Sequence, residues 1–349
     1  MTCYSPLVRI EYPHRKVTAK DGHEYNYARI ISTDEYENWN KIKNPLEKVT
    51  RIPCGKCIGC RLEYSRQWAI RNVYESRCWS NNWFVTLTYD QEHLYIPDQI
   101  CDENTGVIYE NPKDGSWKGC LVPKDATKFI KDLRRYFKYH YNHDNIRFYY
   151  CGEYGETGQR PHFHFLLYNL PIAANELKFK FVNEEFQPIY ECPLIEKIWK
   201  KGLVAIGEVS FSSCAYVARY ITKKQTGEIA SEEYAKKGQI PEYVQMSRMP
   251  GIGRDYYEAN KEQIYENDSV IMNSCKGNIL TLKPPRYYDK LYDIEYPEKM
   301  EQIKEKRKTA GERAEKLRQS KTTASIKEQM HINEKTKYLK SKQLIRDLD

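Results

Sequence analysis

The segment Arg160–Leu167 constrains the fold of this chain more than any other part of its sequence. It reads Arg-Pro-His-Phe-His-Phe-Leu-Leu, and a glycine-rich turn separates it from an earlier strand-like run, Ile146–Glu153. Successive side chains of a strand point to opposite faces, so His162 and His164 share one face about 7 Å apart and the phenylalanines share the other. The pattern therefore predicts two strands joined by a short turn, with the phenylalanines in a core and the histidines on the opposite face.

Two histidines on one strand face can hold a divalent ion if a further ligand lies within reach. Glu153 ends the preceding strand and faces the same ion if the strands pair antiparallel, whereas Glu156 lies within the turn. Two imidazoles and a carboxylate suit Mn²⁺ or Mg²⁺, and also first-row transition metals such as zinc or iron. We predict Glu153, His162 and His164 as metal ligands. For an isolated His-x-His strand, two polar residues exposed to water are the alternative.

The sequence up to residue 225 predicts an α+β fold. Helical periodicity and strand-like runs of β-branched and aromatic residues alternate along it. Together with the histidine hairpin, this order predicts a central antiparallel sheet flanked by helices. The helices are predicted at Arg61–Cys78, Pro123–His140 and Cys214–Lys224, and the additional strands at Phe84–Tyr89 and Leu203–Phe211.

Changes in composition divide the chain into four predicted segments. We expect residues 1–50 to be irregular and residues 171–200 to form a helix on either side of Pro188. The segments are 1–78, a Cys-rich part with an Arg-rich helix; 79–225, the core; 226–297, a Tyr- and Pro-rich extension without clear periodicity; and 298–349, a charged tail that is helical or disordered.

The net charge of +8 is concentrated at one end of the chain, since residues 298–349 carry +6 of it. This local excess suggests a partner with phosphates, although a moderate charge bias mostly reports solubility. The mean hydropathy is −0.81, and no run approaches the ~20 apolar residues that span a bilayer. We therefore expect no membrane association and a location inside a cell.

Three of the eleven cysteines have the spacing Cys54-x-x-Cys57-x-x-Cys60. In a reducing compartment this spacing indicates a metal clip rather than disulfides. Structural zinc needs four ligands, and the spacing leaves the fourth open, with His14 and Cys78 among the candidates. Three reduced cysteines in a loop, or an iron–sulfur cluster, are the alternatives.

Tyr216 and Tyr220 are spaced i,i+4 in the predicted helix and share one of its faces, and Lys223 follows. A phenol with a pKa near 10 is almost wholly protonated at pH 7, so a tyrosine nucleophile needs a metal or a base to help it. The chain has 30 tyrosines, and a chance pair is easy to find. The pair gains weight as a catalytic pair because a histidine pair precedes it.

Taken in order, the motifs resemble those of the HUH endonucleases, the rolling-circle replication initiators and relaxases. These motifs are Phe84–Tyr89, then Pro-His-Phe-His-Phe at Pro161–Phe165, then Tyr-x-x-x-Tyr-x-x-Lys at Tyr216–Lys223. The last looks like that of the two-tyrosine initiators of small single-stranded DNA phages. Pro53–Arg61, followed by Arg66-Gln67-Trp68, is similar to the gokushovirus replication initiators of the Microviridae.

The resemblance implies a ferredoxin- or RRM-like HUH fold and a role for each motif. Its metal, Mg²⁺ or Mn²⁺, would be held by the histidines and Glu153. Tyr216 and Tyr220 would be the nucleophiles, and Lys223 would steady the scissile phosphate or a tyrosinate. The strand Phe84–Tyr89 would support the site without chemistry of its own. Cys3 would be the fourth ligand of a structural zinc, beside Cys54, Cys57 and Cys60.

The implied activity is rolling-circle replication of a phage genome in the host bacterial cytoplasm. The viral origin DNA, single-stranded or locally melted, would be nicked with formation of a 5′-phosphotyrosine and later rejoined to a circle. A host helicase and a host DNA polymerase would be partners. The predicted Arg-rich helix adds Arg66, Arg71 and Arg77 as candidate DNA contacts, with a solvated helix face as the alternative.

Three other interpretations remain open. A non-catalytic, zinc-containing DNA-binding accessory protein of replication explains the cysteines but not the histidine and tyrosine pairs. A transposase or single-tyrosine relaxase needs only one of the two tyrosines. A metal-dependent hydrolase or oxygenase that uses Glu153, His162 and His164 leaves the tyrosine helix unexplained.

Overall fold

The structure is a computed structural model of the 349-residue chain. It describes residues 3–19, 22, 24–39, 48–155, 158–183, 186–223, 228–273 and 278–343, without the side chains of 39, 220–223, 228, 229, 342 and 343. In this part of the chain, no helix combines the length and the apolar character needed to cross a membrane.

Strands and helices alternate along the described residues. The strands are β1 Leu7–Thr18, β2 Glu24–Ser32, β3 Lys48–Ile52, β4 Asn82–Tyr89, β5 Gln99–Cys101, β6 Ile108–Glu110, β7 Arg147–Tyr154, β8 Pro161–Tyr168, β9 Lys178–Val182, β10 Pro188–Glu191, β11 Gly202–Glu208, β12 Tyr243–Met246, β13 Val270–Asn273 and β14 Ile279–Leu282. The helices are α1 Thr33–Trp39, α2 Ile58–Ser76, α3 Pro123–Tyr141, α4 Pro193–Trp199, α5 Phe211–Lys223, α6 Glu228–Lys236, α7 Arg254–Glu266, α8 Arg286–Glu295, α9 Pro297–Gln319 and α10 Ile326–Gln343.

The chain divides into two compact units, and the first contains Met1–Glu63 and Glu305–Asp347. Its sheet has the order β2-β1-β3, with antiparallel neighbours. The expectation of an irregular segment over residues 1–50 is therefore wrong. Val8, Ile10 and Ile31 form a small buried cluster there, because their alternation along two paired strands puts them on one face. The tail helix α10 belongs to this unit, and its Lys327 pairs with acidic side chains of α1.

The second unit contains Tyr64–Lys304 and is built on a seven-stranded sheet of order β12-β7-β8-β4-β11-β10-β9. Every neighbouring pair in this sheet is antiparallel, which confirms an α+β fold with a central antiparallel sheet. The helix expected before Pro188 is wrong, since β9 and β10 pair as a hairpin there. Strand β12 comes from the extension without clear periodicity and pairs with β7.

Helices cover the sheet on both faces. On one face, α3 and α4 bury Phe129, Leu133 and Trp199 against the sheet residues Phe163 and Phe165, which are fully buried as the alternating pattern predicts. On the other face, Trp68 of α2 and residues of α5 pack against the sheet. The histidines of β8 lie on this second face, beneath α5.

Many of the tyrosines belong to the packing of residues 252–300 against α2. Tyr74 stacks on Tyr256 and Tyr265 stacks on Tyr292, each with ring centroids 3.9 Å apart. A buried ion pair joins Glu75 of α2 to Arg147 of β7. A buried charge is tolerated only when it is paired and hydrogen-bonded, and a carboxylate oxygen of Glu75 also accepts a hydrogen bond from a backbone N–H at the start of α7.

Candidate active site

The β7–β8 hairpin brings the three predicted metal ligands together. In its antiparallel register Glu153 lies directly opposite His162, and directly opposed residues of antiparallel strands have side chains on the same face. The side-chain ligand atoms of Glu153, His162 and His164 lie within 4.8 Å of one another. The site is mostly shielded from water, since the side chains of Glu153, His162 and His164 are 5%, 15% and 8% exposed.

The two imidazoles point the same ring atom at the same carboxylate oxygen. His162 Nε2 and His164 Nε2 lie 2.6 Å and 2.8 Å from Glu153 Oε1. The other ring nitrogen of His162, Nδ1, lies 3.1 Å from the carbonyl oxygen of Arg160. A carbonyl oxygen only accepts hydrogen bonds, so Nδ1 carries the proton and the Nε2 of a neutral ring presents a lone pair to the carboxylate.

This arrangement fits a bound cation. A lone pair that faces a carboxylate oxygen is repelled unless the ring is protonated or a cation lies between them. Among the described residues, the second carboxylate oxygen of Glu153, Oε2, is buried and has no hydrogen-bond partner, and such an atom normally has one. A His₂-carboxylate set leaves coordination positions open, as catalytic metal sites do.

The pKa of Glu153 shows which interaction dominates in the group. Burial raises the pKa of this carboxyl, but the hydrogen bonds from His162 and His164 and the charges of these rings outweigh burial, so the pKa lies below its ordinary value. The carboxylate is therefore ionised at neutral pH, as a metal ligand must be.

Tyr216 of α5 lies beside this group. Its ring centroid is 5.1 Å from that of His164, in an edge-on arrangement. The buried residues Val217 and Ala218 hold the helix against the sheet. Tyr220 and Lys223 follow on the same helix, but their side chains lie outside the described residues, as does the whole of Glu156.

Strand β4 contributes two side chains to which sequence reasoning gave no chemical role. Thr86 lies opposite His164 in the sheet, and its Oγ1 is 3.0 Å from His164 Nδ1. Phe84 stacks on the ring of His164, with centroids 5.4 Å apart. Both residues alternate with the buried Val85 and Leu87, and this alternation is the signal that could have placed them on the histidine face.

The cysteine group lies in the first unit. Cys3, Cys54, Cys57 and Cys60 have sulfur atoms within 4.8 Å of one another, so the fold brings Cys3 to the other three. His14 is exposed on β1, and the Cys78 thiol donates a hydrogen bond to the carbonyl oxygen of Tyr74.

Backbone N–H groups surround the sulfur atoms. The N–H groups of Tyr4, Cys54 and Cys57 donate to Cys57, Cys3 and Cys54, each with a nitrogen–sulfur distance of 3.3 Å. Burial raises the pKa of Cys3 and Cys60. Burial acts in the same direction on Cys57, but the hydrogen bonds to its sulfur outweigh it and the pKa of Cys57 lies below its ordinary value. Thiolates are the form that binds metal, and four of them suit tetrahedral zinc.

The three arginines predicted as DNA contacts have different surroundings. Arg71 is held between the rings of Trp68 and Tyr287, 4.0 Å and 3.9 Å from their centroids, and donates to a backbone carbonyl. Arg66 donates to the carbonyl oxygen of Lys283. Arg77 is exposed. These contacts give Arg71 a packing role, whereas Arg66 and Arg77 are more accessible to a phosphate.

Comparison with known sequences places the site in a class of proteins. The family of the replication-associated protein ORF2 matches residues 82–225, the range that holds the three metal ligands and the tyrosine helix. The chain is 34% identical to the replication-associated protein ORF2 of Spiroplasma virus 4, over 90% of this chain and 88% of that protein. No solved structure matches the chain.

Two further relatives are the replication-associated protein VP4 of Bdellovibrio phage phiMH2K and the replication-associated protein ORF4 of Chlamydia phage 1. The first is 32% identical over 71% of this chain and 69% of that protein. The second is 25% identical over 77% of this chain and 58% of that protein. The protein is therefore a phage replication-associated protein. Within that class, the chain belongs to the replication initiators of the Microviridae.

Proposed function

We propose that this protein is a two-tyrosine HUH endonuclease that nicks and rejoins the viral origin strand during rolling-circle replication. The observation that carries the proposal is the position of Tyr216, whose ring lies 5.1 Å from His164 of the Glu153–His162–His164 group. A nucleophile beside a divalent-ion site is what phosphodiester transfer requires.

Each side chain has a task in the nicking step. Glu153, His162 and His164 hold Mg²⁺ or Mn²⁺, which draws charge from a phosphodiester oxygen when it is bound. The phenolic oxygen of Tyr216 attacks phosphorus and loses its proton. The bond from phosphorus to the 3′ oxygen breaks, which leaves a 5′-phosphotyrosine and a free 3′-OH. The 3′-OH then primes a host polymerase, with a host helicase opening the duplex ahead.

The second tyrosine accounts for rejoining. Tyr220 lies four residues after Tyr216 on α5, and residues at this spacing share a helix face. After one round, one tyrosine cleaves the regenerated origin while the released 3′-OH attacks the phosphotyrosine on the other. A circle is closed and the protein keeps a covalent link to DNA. Lys223, one turn further, steadies the scissile phosphate or a tyrosinate.

Two further parts support this activity. The thiolates of Cys3, Cys54, Cys57 and Cys60 hold a structural zinc, which fixes the start of the chain to the loop before α2. Arg66 and Arg77 contact phosphates of the substrate, which must be single-stranded or locally melted to enter the site, while Arg71 keeps its packing role. The protein acts in the cytoplasm of the host bacterium, where the viral DNA is replicated.

Tyrosyl-DNA transfer is directly measurable. The full chain is mixed with labelled single-stranded oligonucleotides that tile its own genome, with Mn²⁺ or Mg²⁺, and the products are run on a denaturing gel. We expect labelled DNA at the mass of the protein, absent with EDTA and absent for the Tyr216→Phe/Tyr220→Phe variant. The variant Tyr25→Phe/Tyr95→Phe, at two exposed tyrosines, serves as the control and keeps the adduct.

The same gel separates this proposal from its main competitor. If DNA binding persists but no oligonucleotide gives an adduct with either metal, the nuclease proposal fails. A non-catalytic, zinc-containing DNA-binding protein would then be the better description, since it needs the cysteine group but neither tyrosine.

A further inference from the structure

Helix α3 presents a row of positive side chains that the nicking reaction does not use. Its exposed residues include Lys124, Lys128, Lys131, Arg135 and Lys138, at intervals of three or four positions that keep them on one helix face. The row covers 14 helical steps, about 21 Å at 1.5 Å per residue.

The charge of α3 differs from that of its surroundings. The helix carries six Lys and Arg residues and two Asp residues, a net charge of +4, whereas the rest of residues 1–297 carries −2. Lys128 and Arg135 share the carboxylate of Asp132. Lys124 and Lys131 form no ion pair with any carboxylate in the described part of the chain. The row therefore keeps an excess of positive charge at the surface.

The packing of α3 shows that this charge is not needed to hold the helix in place. Its opposite face buries Phe129, Leu133 and Phe137 in the core beneath the sheet. The cation of Arg134 is used internally, since its side chain donates two hydrogen bonds to the carbonyl oxygen of Ile146. The exposed row is thus separate from the side chains that attach α3 to the fold.

The row lies on the far side of the sheet from the metal ligands. α3 packs on the face that holds Phe163 and Phe165, whereas His162 and His164 lie on the face covered by α5. The sheet and the helix itself separate the two surfaces, so the cleaved phosphate cannot contact both at once. Any nucleic acid on α3 is a different segment from the one at Tyr216.

We propose that the exposed face of α3 is a second DNA-binding surface, which holds the phosphate backbone of a duplex segment. Duplex DNA carries one negative charge per ~1.7 Å of its axis, so 21 Å of duplex offers about a dozen phosphates to five regularly spaced cations. Binding of single strands relies on aromatic side chains interleaved with the cations, and the exposed positions between Lys124 and Lys138 contain none. The proposal rests on the role of the family in phage DNA replication and not on the nicking reaction.

The salt dependence of duplex binding tests this surface. The full chain is titrated onto a fluorescent 30-base-pair duplex in EDTA at several NaCl concentrations, and the anisotropy gives the Kd. For the variant K124Q/K128Q/K131Q/K138Q we expect at least about a tenfold loss of affinity at 0.1 M salt. We also expect the slope of log K against log[salt] to become shallower by about 2 to 4, since each lost phosphate contact removes ~0.9.

The control variant K118Q/K237Q/K290Q/K299Q removes the same charge from four exposed lysines outside α3 and keeps the wild-type slope. The variant K124Q/K131Q leaves the ion pairs of Asp132 intact and gives about half of the change in slope, which guards against a folding defect. Equal slopes for the wild type and the α3 variant would overturn the proposal. So would an equal loss in the control, or a larger loss on a 30-nucleotide single strand than on the duplex.

This result is independent of the nicking chemistry. The α3 variant is expected to form the tyrosyl adduct on a short single strand at the wild-type rate. A wild-type protein that forms no adduct would refute the proposed function and leave the duplex-binding surface standing.

Discussion

The cysteine group and the Glu153 group both bring side chains within 4.8 Å of one another, but they are built on different backbones. The cysteines come from loop residues and the first turn of a helix, and three of their sulfur atoms accept hydrogen bonds from backbone N–H groups. Glu153, His162 and His164 stand on two paired strands of a seven-stranded sheet, with Tyr216 beside them.

The difference indicates what each group is suited for. Four thiolates complete a tetrahedral zinc site and leave no position for a substrate, which is typical of structural zinc. Three mixed ligands on a rigid sheet leave positions open and hold a reacting phosphate in a fixed geometry relative to the nucleophile. One group stabilises a fold and the other supports chemistry, and three substitutions test this comparison.

The largest effect is expected for Cys57→Ser. Structural zinc contributes on the order of 10–16 kcal/mol to zinc-dependent folding, and the site loses a quarter of its ligands and the thiol with a lowered pKa. We expect zinc content to fall from one to near zero per chain and the amides of β1–β3 to lose hydrogen-exchange protection. Exchange in β4 and β8 should stay unchanged. Cys101→Ser, at an exposed cysteine, is the control. Protected β1–β3 amides in the zinc-free variant would break the comparison.

Glu153→Gln should abolish function without unfolding the protein. It keeps the shape of the side chain but removes the charge that faces two imidazoles, so Mn²⁺ affinity and the rate of adduct formation should each fall by about 10²–10³-fold. The zinc content should remain one per chain. Mn²⁺ binding followed by electron paramagnetic resonance, with Glu208→Gln at an exposed position as the control, measures the effect. Unchanged Mn²⁺ affinity would mean that Glu153 is not a ligand.

Thr86→Val gives the smallest expected effect and tests how finely the open site is adjusted. The substitution keeps the shape of the side chain but removes the hydroxyl that lies 3.0 Å from His164 Nδ1. Loss of such a supporting hydrogen bond typically weakens metal binding by about 10–100-fold. Thr88→Val, on the same face of β4, provides the matched control. Equal Mn²⁺ affinities for the two variants would show that Thr86 does not orient the ring.

Much of the second unit could be predicted because its signals are local. The helix Pro123–Tyr141 and the strands around the histidines have apolar residues at the period of their own structure, and a short turn joins β7 to β8. A hairpin register follows from a short turn and a buried face, so the hairpin pattern alone placed Glu153 near His162. The same reasoning failed at β9 and β10, where an apolar run of mixed periodicity was predicted as a helix.

Long-range pairing accounts for the features that sequence reasoning missed. The first unit closes a sheet from three strands, and Cys3 lies more than fifty residues before the other cysteines in the sequence. Strand β12 joins the large sheet at β7 from almost ninety residues away along the chain. No local period encodes such contacts, because they depend on which surfaces meet when the chain collapses.

The sequence by itself therefore determined the α+β class, the shared face of His162 and His164, and the spacing of the two tyrosines, since each depends on the geometry of one strand, hairpin or helix. Only the tertiary structure decided that Cys3 completes the cysteine group, that Thr86 contacts His164, and that Tyr216 lies beside the metal ligands. These contacts join separate elements, and burial of apolar surface between those elements is what brings them together.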